Sequence, residues 1–438
     1  MKKILIALAL VLAVHAADAQ VKTPEVAKKA LDGAVAASQD AKKATKVATW
    51  LKLATAYMDA YNAPAGAIWL GASKQELQLI MANEKPVKVE QVSLGGEPCT
   101  KEVYKNKELY FNKNGQLAMI NITKPVVEDA LEGARNAYAK AYEVDLKKSK
   151  LKDVLAGLEN VAKKYLDEGM NMYMLDDFAG ASVYFEKSAN AAATEPLAKV
   201  DTTALYNAGF TAWMVKDYPR AKKFFNDCLE AGYYYENGEV FAKLADIYTN
   251  LEDKTAARDV LEAGFTKFPQ SQSILIGLIN YYLESGENTN RLFELIGEAK
   301  KNEPENVSLY YVEGNIHKQL GDFDSALAAY QAALTVDPNY DFGYHGQGAL
   351  LYDKAVQLSE KAQAELDDAK YNALVKEYEQ VLLDAIAPFE KAFEVTSNPQ
   401  VKLNAAEYLK NIYYRFSSVE DKYMEGYKKY NEYVKANF

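Results

Sequence analysis

Histidine and cysteine are nearly missing from this chain of 438 residues, which holds three of the first and two of the second. One histidine falls within the first fifteen residues, leaving His317 and His345 for the rest. That scarcity removes most metal-ligand and acid–base constellations, because both draw on imidazole near neutral pH. Cys99 and Cys228 are too few for a disulfide framework. A bond between them is open but without support, and Cys228 reads as a small packed residue. No nucleophile elbow, phosphate loop, paired-histidine motif or CxxC occurs. Gly343, Gly346 and Gly348 are close together but lack the preceding strand that a dinucleotide site requires. Carboxylates are plentiful, and no pair of them is singled out for acid–base work. The expectation is therefore a non-enzyme with no catalytic residue, no metal and no cofactor.

Positive charge is also short. Lysine and arginine number 51 against 61 aspartates and glutamates, a net charge of −10. Such a chain is repelled by phosphate backbones and by anionic lipid surfaces, which argues against nucleic acid as a partner. Long apolar runs are missing too, apart from residues 4–14, which fall short of the ~20 residues a membrane span needs. That one run follows Met1-Lys2-Lys3 and precedes Ala17-Asp18-Ala19, the order of a secretory leader with cleavage before Gln20. Losing residues 1–19 removes two lysines and one aspartate and takes the charge to −11. No cysteine lies near the cleavage point for a lipid anchor. The expectation is export to a periplasm or the outside as a soluble chain.

Self-similarity is plain in what remains. Residues 307–340 read as two helices. Gly314 is a small residue where helices approach, Gly321-Asp322 a turn, and Ala326, Tyr330 and Ala333 one face of the second helix. Pro338 closes the unit, because proline stops a helix from continuing. Gly209, Ala221, Phe225 and Cys228 mark another copy. Phe241, Leu244, Ala245, Tyr248, Ala257, Leu261, Gly264 and Pro269 mark the next. A looser one carries Leu275, Leu278, Tyr282, Leu292, Ile296, Ala299 and Pro304. Upstream, Gly169, Ala181, Phe185 and Ser188 match again. The closing prolines Pro269, Pro304 and Pro338 are 35 and 34 residues apart. The pattern resembles the tetratricopeptide repeat, whose hairpins expose too much apolar surface to stand alone and bury it by stacking. The expected fold is an all-α, helical-hairpin solenoid with a small antiparallel β insertion near the N-terminus.

Two copies look split. Trp50, Leu53, Ala54 and Tyr57 resemble a first helix, whereas its partner, with Ala134, Tyr138 and Ala141, follows only after residue 125. Val87, Val89 and Val92 alternate in the manner of a strand, and segments 107–113 and 116–123 flank Asn114-Gly115, a strong hairpin signal. The insertion at about 62–125 reads equally as a functional module and as a cap. In the second split copy, Tyr344, Gly348 and Leu351 belong to one helix and Ala385, Phe389 and Ala392 to its partner. Between them, residues 353–383 read as an extended helical hairpin turning at Asp367-Asp368, with a kink at Pro388. A last pair spans about 399–416 and 419–436. The domain expectation is a leader at 1–19, an interrupted repeat over 20–146, a regular array over 147–340 and a C-terminal array over 341–438.

In proteins this chain resembles, the first helices of successive repeats line a concave, ligand-holding face. The resemblance places Leu166, Met170, Tyr173 and Met174 there, then Tyr206, Phe210, Trp213 and Met214. Asp246 and Asn250, Asn280, Tyr311, Asn315 and Lys318, and finally His345 and Tyr352 continue the row. Tyr and Trp anchor partners well, and Met adapts to varied shapes. Some relatives clamp a peptide carboxylate with several lysines and an arginine; here only Asn315 and Lys318 sit at suitable places. Two short segments, Asp201-Thr202-Thr203 and Asp324-Ser325-Ala326, resemble a bacterial O-glycosylation acceptor. The leading expectation is a scaffold or adaptor of the bacterial envelope that binds a peptide segment or partner protein. The alternatives are an exported glycan- or small-molecule-binding protein, and an enzyme using the inserted segment around Cys99.

Overall fold

The computed structural model describes residues 21–81 and 84–437, so the leader reading lies outside the described residues. Among those residues the chain forms two compact units, divided between Tyr235 and Glu236. The first begins with α1 (Pro24–Gln39), α2 (Val47–Asn62) and a short α3 (Lys74–Ile80). Strands β1 (Lys88–Leu94), β2 (Glu97–Val103), β3 (Lys107–Phe111) and β4 (Leu117–Ile122) form one antiparallel meander in chain order. Helices α4 (Ala130–Val144), α5 (Leu151–Met174), α6 (Phe178–Ala192), α7 (Thr202–Met214) and α8 (Tyr218–Glu230) complete the unit. The second unit holds α9 (Glu239–Asn250), α10 (Lys254–Lys267), α11 (Gln272–Ser285), α12 (Thr289–Asn302), α13 (Val307–Gln319) and α14 (Phe323–Val336). It continues with α15 (Asp341–Ala364), α16 (Asp368–Asp384), α17 (Ile386–Val395), α18 (Pro399–Phe416) and α19 (Asp421–Asn437). The fold class is all-α, built from helical hairpins of solenoid type, with one small antiparallel sheet inserted near the N-terminus.

Three of the hairpins, α5–α6, α7–α8 and α13–α14, are held by a glycine on the first helix facing an aromatic ring sixteen positions later on the second. A Cβ added to Gly169 would lie 2.6 Å from the Phe185 ring, and one on Gly314 would lie 2.6 Å from Tyr330. At Gly209 the Phe225 ring would be 3.2 Å away. In the split copy near the C-terminus, Gly348 meets Phe389 at 2.8 Å although the two are forty-one positions apart. The hairpin of α15 and α16 thus extends outward without disturbing the pairing of α15 with α17.

The turns inside the hairpins repeat one hydrogen-bonded form. Asp177, Asp217, Asp253 and Asp322 each donate their backbone N–H to the carbonyl five residues back, every time at 2.9 Å. Each of these aspartates then caps the following helix, accepting from the N–H of Gly180, Arg220, Ala256 and Ser325. One residue thereby closes one helix and opens the next. The position before each aspartate is left-handed: Asp176, Lys216, Glu252 and Gly321 have φ of 60°, 61°, 60° and 74°. Only the last is the residue that adopts this conformation without a Cβ penalty.

Closing prolines act alike. Phe268, Glu303 and Asp337, just before Pro269, Pro304 and Pro338, share φ near −132° with ψ between 67° and 102°. Proline forbids the preceding residue the helical region, so each helix stops one residue short of it. The returning helix is interrupted at Ala385, three residues ahead of Pro388, and continues as α17. Pro388 has no N–H for the Asp384 carbonyl, and its ring crowds that carbonyl.

The inserted sheet contains elements that the alternation of valines does not reveal. Strand β2 pairs with β1 across Gly95-Gly96, and α3 precedes the sheet. Val87 and Val89 are exposed, whereas Val92 has the opposite parity and packs on the inner face with Leu94, Cys99, Tyr110 and Met119. Lys107 anchors the insertion: its buried amine reaches Glu84 at 2.9 Å and the Pro64 carbonyl at 3.3 Å.

Two substitutions test this account by urea unfolding. Lys216→Gly or Glu252→Gly is expected to raise stability by about 0.5–1 kcal/mol, since it relieves a left-handed side chain and loses part of that gain to chain entropy. Gly314→Ala is expected to lower it by about 1–3 kcal/mol, because its methyl has no room beside Tyr330.

Candidate functional site

Helices α5 and α7 carry the aromatic and methionine residues of the first unit. The Tyr206 ring is stacked on Tyr235 at 4.0 Å and on Phe210 at 6.1 Å, and Phe210 lies 5.9 Å from Trp213. Tyr206 is only 7% exposed, so it backs the row, while Phe210, Trp213 and Met214 remain half-buried. Met170 and Tyr173, also half-buried, pack against Phe185 and Phe224, and Tyr173 meets Phe178 edge-on at 5.3 Å. Met174 is committed elsewhere. It lies on the cluster of Leu94, Cys99, Tyr110 and Met119 from the inserted sheet, and its carbonyl accepts the Gly95 N–H at 2.9 Å. The sheet therefore docks on the end of α5, with the half-buried Met174 at the contact.

In the second unit, Asn250 and Asn280 are exposed on α9 and α11, and the Asn250 amide donates to the Asp246 carbonyl at 2.8 Å. Tyr311 sits among Tyr330, Tyr340 and Phe342, with centroids 5.8–5.9 Å apart. Asn315 accepts the Tyr330 hydroxyl at 2.7 Å, and Lys318 pairs with Asp353 at 2.7 Å. His345 lies 2.6 Å from the Asn404 side chain. Both groups that resembled part of a carboxylate clamp already have partners within the chain. Helices α13 and α15, which carry Tyr311, Asn315 and Lys318 on one and Tyr352 on the other, are neighbours.

A cleft of about 540 Å³ lies between the extended hairpin and α18, and sequence reasoning placed only one of its residues at a site. Tyr352 on α15 and Tyr378 and Leu382 on α16 form one wall, and Asn411, Ile412, Tyr414 and Arg415 on α18 the other. Arg415 crosses the gap, donating to the Tyr378 hydroxyl and to Glu379, both at 3.1 Å. The extended hairpin was legible as such, but nothing local in the sequence says that its inner face would meet α18.

A family model for the tetratricopeptide repeat matches residues 307–340, the hairpin of α13 and α14. The chain therefore contains a tetratricopeptide repeat at this hairpin. No curated protein sequence gives a significant match. Among solved structures, a tetratricopeptide repeat protein from Parabacteroides merdae is 14% identical, over 61% of this chain and 98% of its own, with a TM-score of 0.38. A TPR repeats protein from Bacteroides fragilis is 16% identical, over 56% and 97%, with a TM-score of 0.30. YrrB, described as a TPR protein with an unusual peptide-binding site, is 18% identical, over 48% and 97%, with a TM-score of 0.33. Among the described residues no helix is long and apolar enough to cross a membrane.

Within these repeats the titratable groups serve packing. His317 stacks on Phe293 with centroids 4.5 Å apart, its Nδ1 lying 3.4 Å from the Asp322 carboxylate. Cys99 and Cys228 are both unbonded thiols, each buried in its own surroundings. Burial pushes the Cys228 thiol up to about 12, with the nearby Asp227 carboxylate acting in the same direction. Burial also raises the Cys99 thiol, against a smaller opposing effect of Lys101. Since the thiolate is the reactive form, both should be inert in the folded chain. A chromogenic disulfide reagent at mildly alkaline pH is expected to find no fast-reacting thiol in the native protein and both after unfolding in urea. Rapid labelling of native Cys228 would contradict the packing described.

Proposed function

We propose that the chain is a non-catalytic scaffold of the bacterial envelope that holds a peptide segment or a partner protein on the first-helix faces of its repeats. Tetratricopeptide-repeat folds generally serve as protein–protein interaction scaffolds, and that coarser role follows from the family. The finer reading is carried by one observation. Along α5 and α7, Met170, Tyr173, Phe210, Trp213 and Met214 form a row of large side chains that are half-buried rather than sunk in the core. Such rows supply rigid aromatic anchors flanked by adaptable thioethers, the residue types that concentrate binding energy. The net charge of −10 keeps polyanions away and leaves uncharged or basic segments as partners. Location in the envelope rests on the leader-like residues 1–19, with the mature chain beginning at Gln20.

Cross-linking in cells with a tagged, full-length chain, followed by mass spectrometry, tests this reading. A small set of envelope proteins is expected. Replacing Phe210 and Trp213 together by alanine should cut their recovery by about tenfold or more, the effect of losing about 2 kcal/mol at a binding hot spot. Unchanged recovery would remove the face from consideration, and an intact mass that includes residues 1–19 would remove export.

A further inference from the structure

The cleft lies at the base of the extended hairpin, where α15 and the end of α16 face α18. Helix α13 has 13 residues, whereas α15 has 24, and the extra turns carry its far end and α16 beyond the repeat body. At the base of that excursion, Tyr352 and Tyr378 lie across an open gap from Asn411 and Tyr414 on α18, with the buried Leu382 and Ile412 between them. A volume of about 540 Å³ falls within the ~300–1,000 Å³ usual for small-ligand sites.

The lining says what kind of ligand fits. Its one cation, Arg415, is already neutralised by Glu379 at 3.1 Å. Asp353, beside Tyr352 on α15, is paired with Lys318 at 2.7 Å. An ionic ligand would meet no surplus charge to balance its own desolvation. Neutral hydrogen-bonding capacity is abundant instead. Among the described residues, the Tyr352 and Tyr414 hydroxyls, the Asn411 amide and the Ser418 hydroxyl make no hydrogen bond to the protein. Hydroxyls and a carboxamide both donate and accept, which suits a ligand rich in adjacent hydroxyl groups. Flat apolar faces accompany them. Tyr414 is 65% exposed, and the Tyr378 ring is fixed in place by its bond to Arg415. Aromatic faces of this kind pack against the C–H faces of pyranose rings while the phenol edge stays wet. A peptide, by contrast, draws most of its affinity from apolar anchors in desolvated pockets, which this open and hydroxylated cleft does not offer.

We propose that this cleft binds a short neutral oligosaccharide, independently of the aromatic row on α5 and α7. The full chain is tested against short neutral oligosaccharides of glucose, mannose, xylose and N-acetylglucosamine on an array, and hits are titrated by calorimetry. At least one is expected to bind. Tyr414→Ala and Asn411→Ala should each weaken that binding by about tenfold, equivalent to about 1.4 kcal/mol. Both residues are exposed, so thermal unfolding should not move. Tyr352→Phe keeps the ring and removes only the hydroxyl, and should weaken binding about three- to tenfold. The double change of Phe210 and Trp213 to alanine should leave it unaltered. The proposal is overturned if no saccharide binds, if binding survives Tyr414→Ala, Asn411→Ala and Tyr352→Phe undiminished, or if only peptides occupy the cleft.

Discussion

The close crossing of two helices, with a glycine of one pressed against an aromatic ring of the other, is the constraint on which the rest of the molecule depends. At Gly169, Gly209, Gly314 and Gly348 there is no room for a side chain without displacing Phe185, Phe225, Tyr330 or Phe389. That contact sets the distance between the helices of a hairpin and hence which of their faces remain apolar and must be covered by a neighbouring element. Tyr330 illustrates the economy, because its ring lies against Gly314 in its own hairpin and against Gly346 in the next helix.

Because the pairing is local and strong, the chain tolerates long excursions between the two helices of a hairpin. Loop closure costs grow slowly with length, so an added segment weakens the pairing little as long as its ends return to the same place. Gly348 and Phe389 meet as closely as their regular counterparts despite the two dozen extra residues between them. Near the N-terminus, α2 pairs with α4 across the whole inserted sheet, with Tyr57 now the aromatic partner and Gly133 the small one. The two excursions have opposite consequences. The sheet folds back onto the end of α5 and packs on Met174, whereas the helical hairpin leaves a cleft between its base and α18.

Much of the hairpin architecture was legible because its signals are short-range and repeated. The Gly321-Asp322 turn, prolines that halt the second helix, and small residues at fixed spacing act within a few positions or at a constant offset. The inserted sheet was half legible. Asn114-Gly115 marks the β3–β4 turn, where Gly115 has φ of 73°, but β2 alternates Glu97, Cys99, Lys101 and Val103 with no apolar face to announce it. At the candidate site the signal was weaker still. The resemblance placed Tyr206, Met174, Asn315 and Lys318 on the first-helix side, where Tyr206 is covered, Met174 meets the sheet, Asn315 takes the Tyr330 hydroxyl and Lys318 takes Asp353.

Sequence alone thus determined the unit of construction: helical hairpins of tetratricopeptide type, their turns and closing prolines, the two places where they are interrupted, and the scarcity of groups suited to catalysis. Those properties follow from residues that act on neighbours three to five positions away, or on a partner at a constant offset. Tertiary structure decided which large side chains are covered and which line a surface, and it alone assembled the Tyr352, Tyr378, Asn411 and Tyr414 cleft. The physical reason is range. Whether a tyrosine on one helix lies against a ring, a sheet or open water depends on segments tens of residues away, and no periodicity within its own helix records where those segments return.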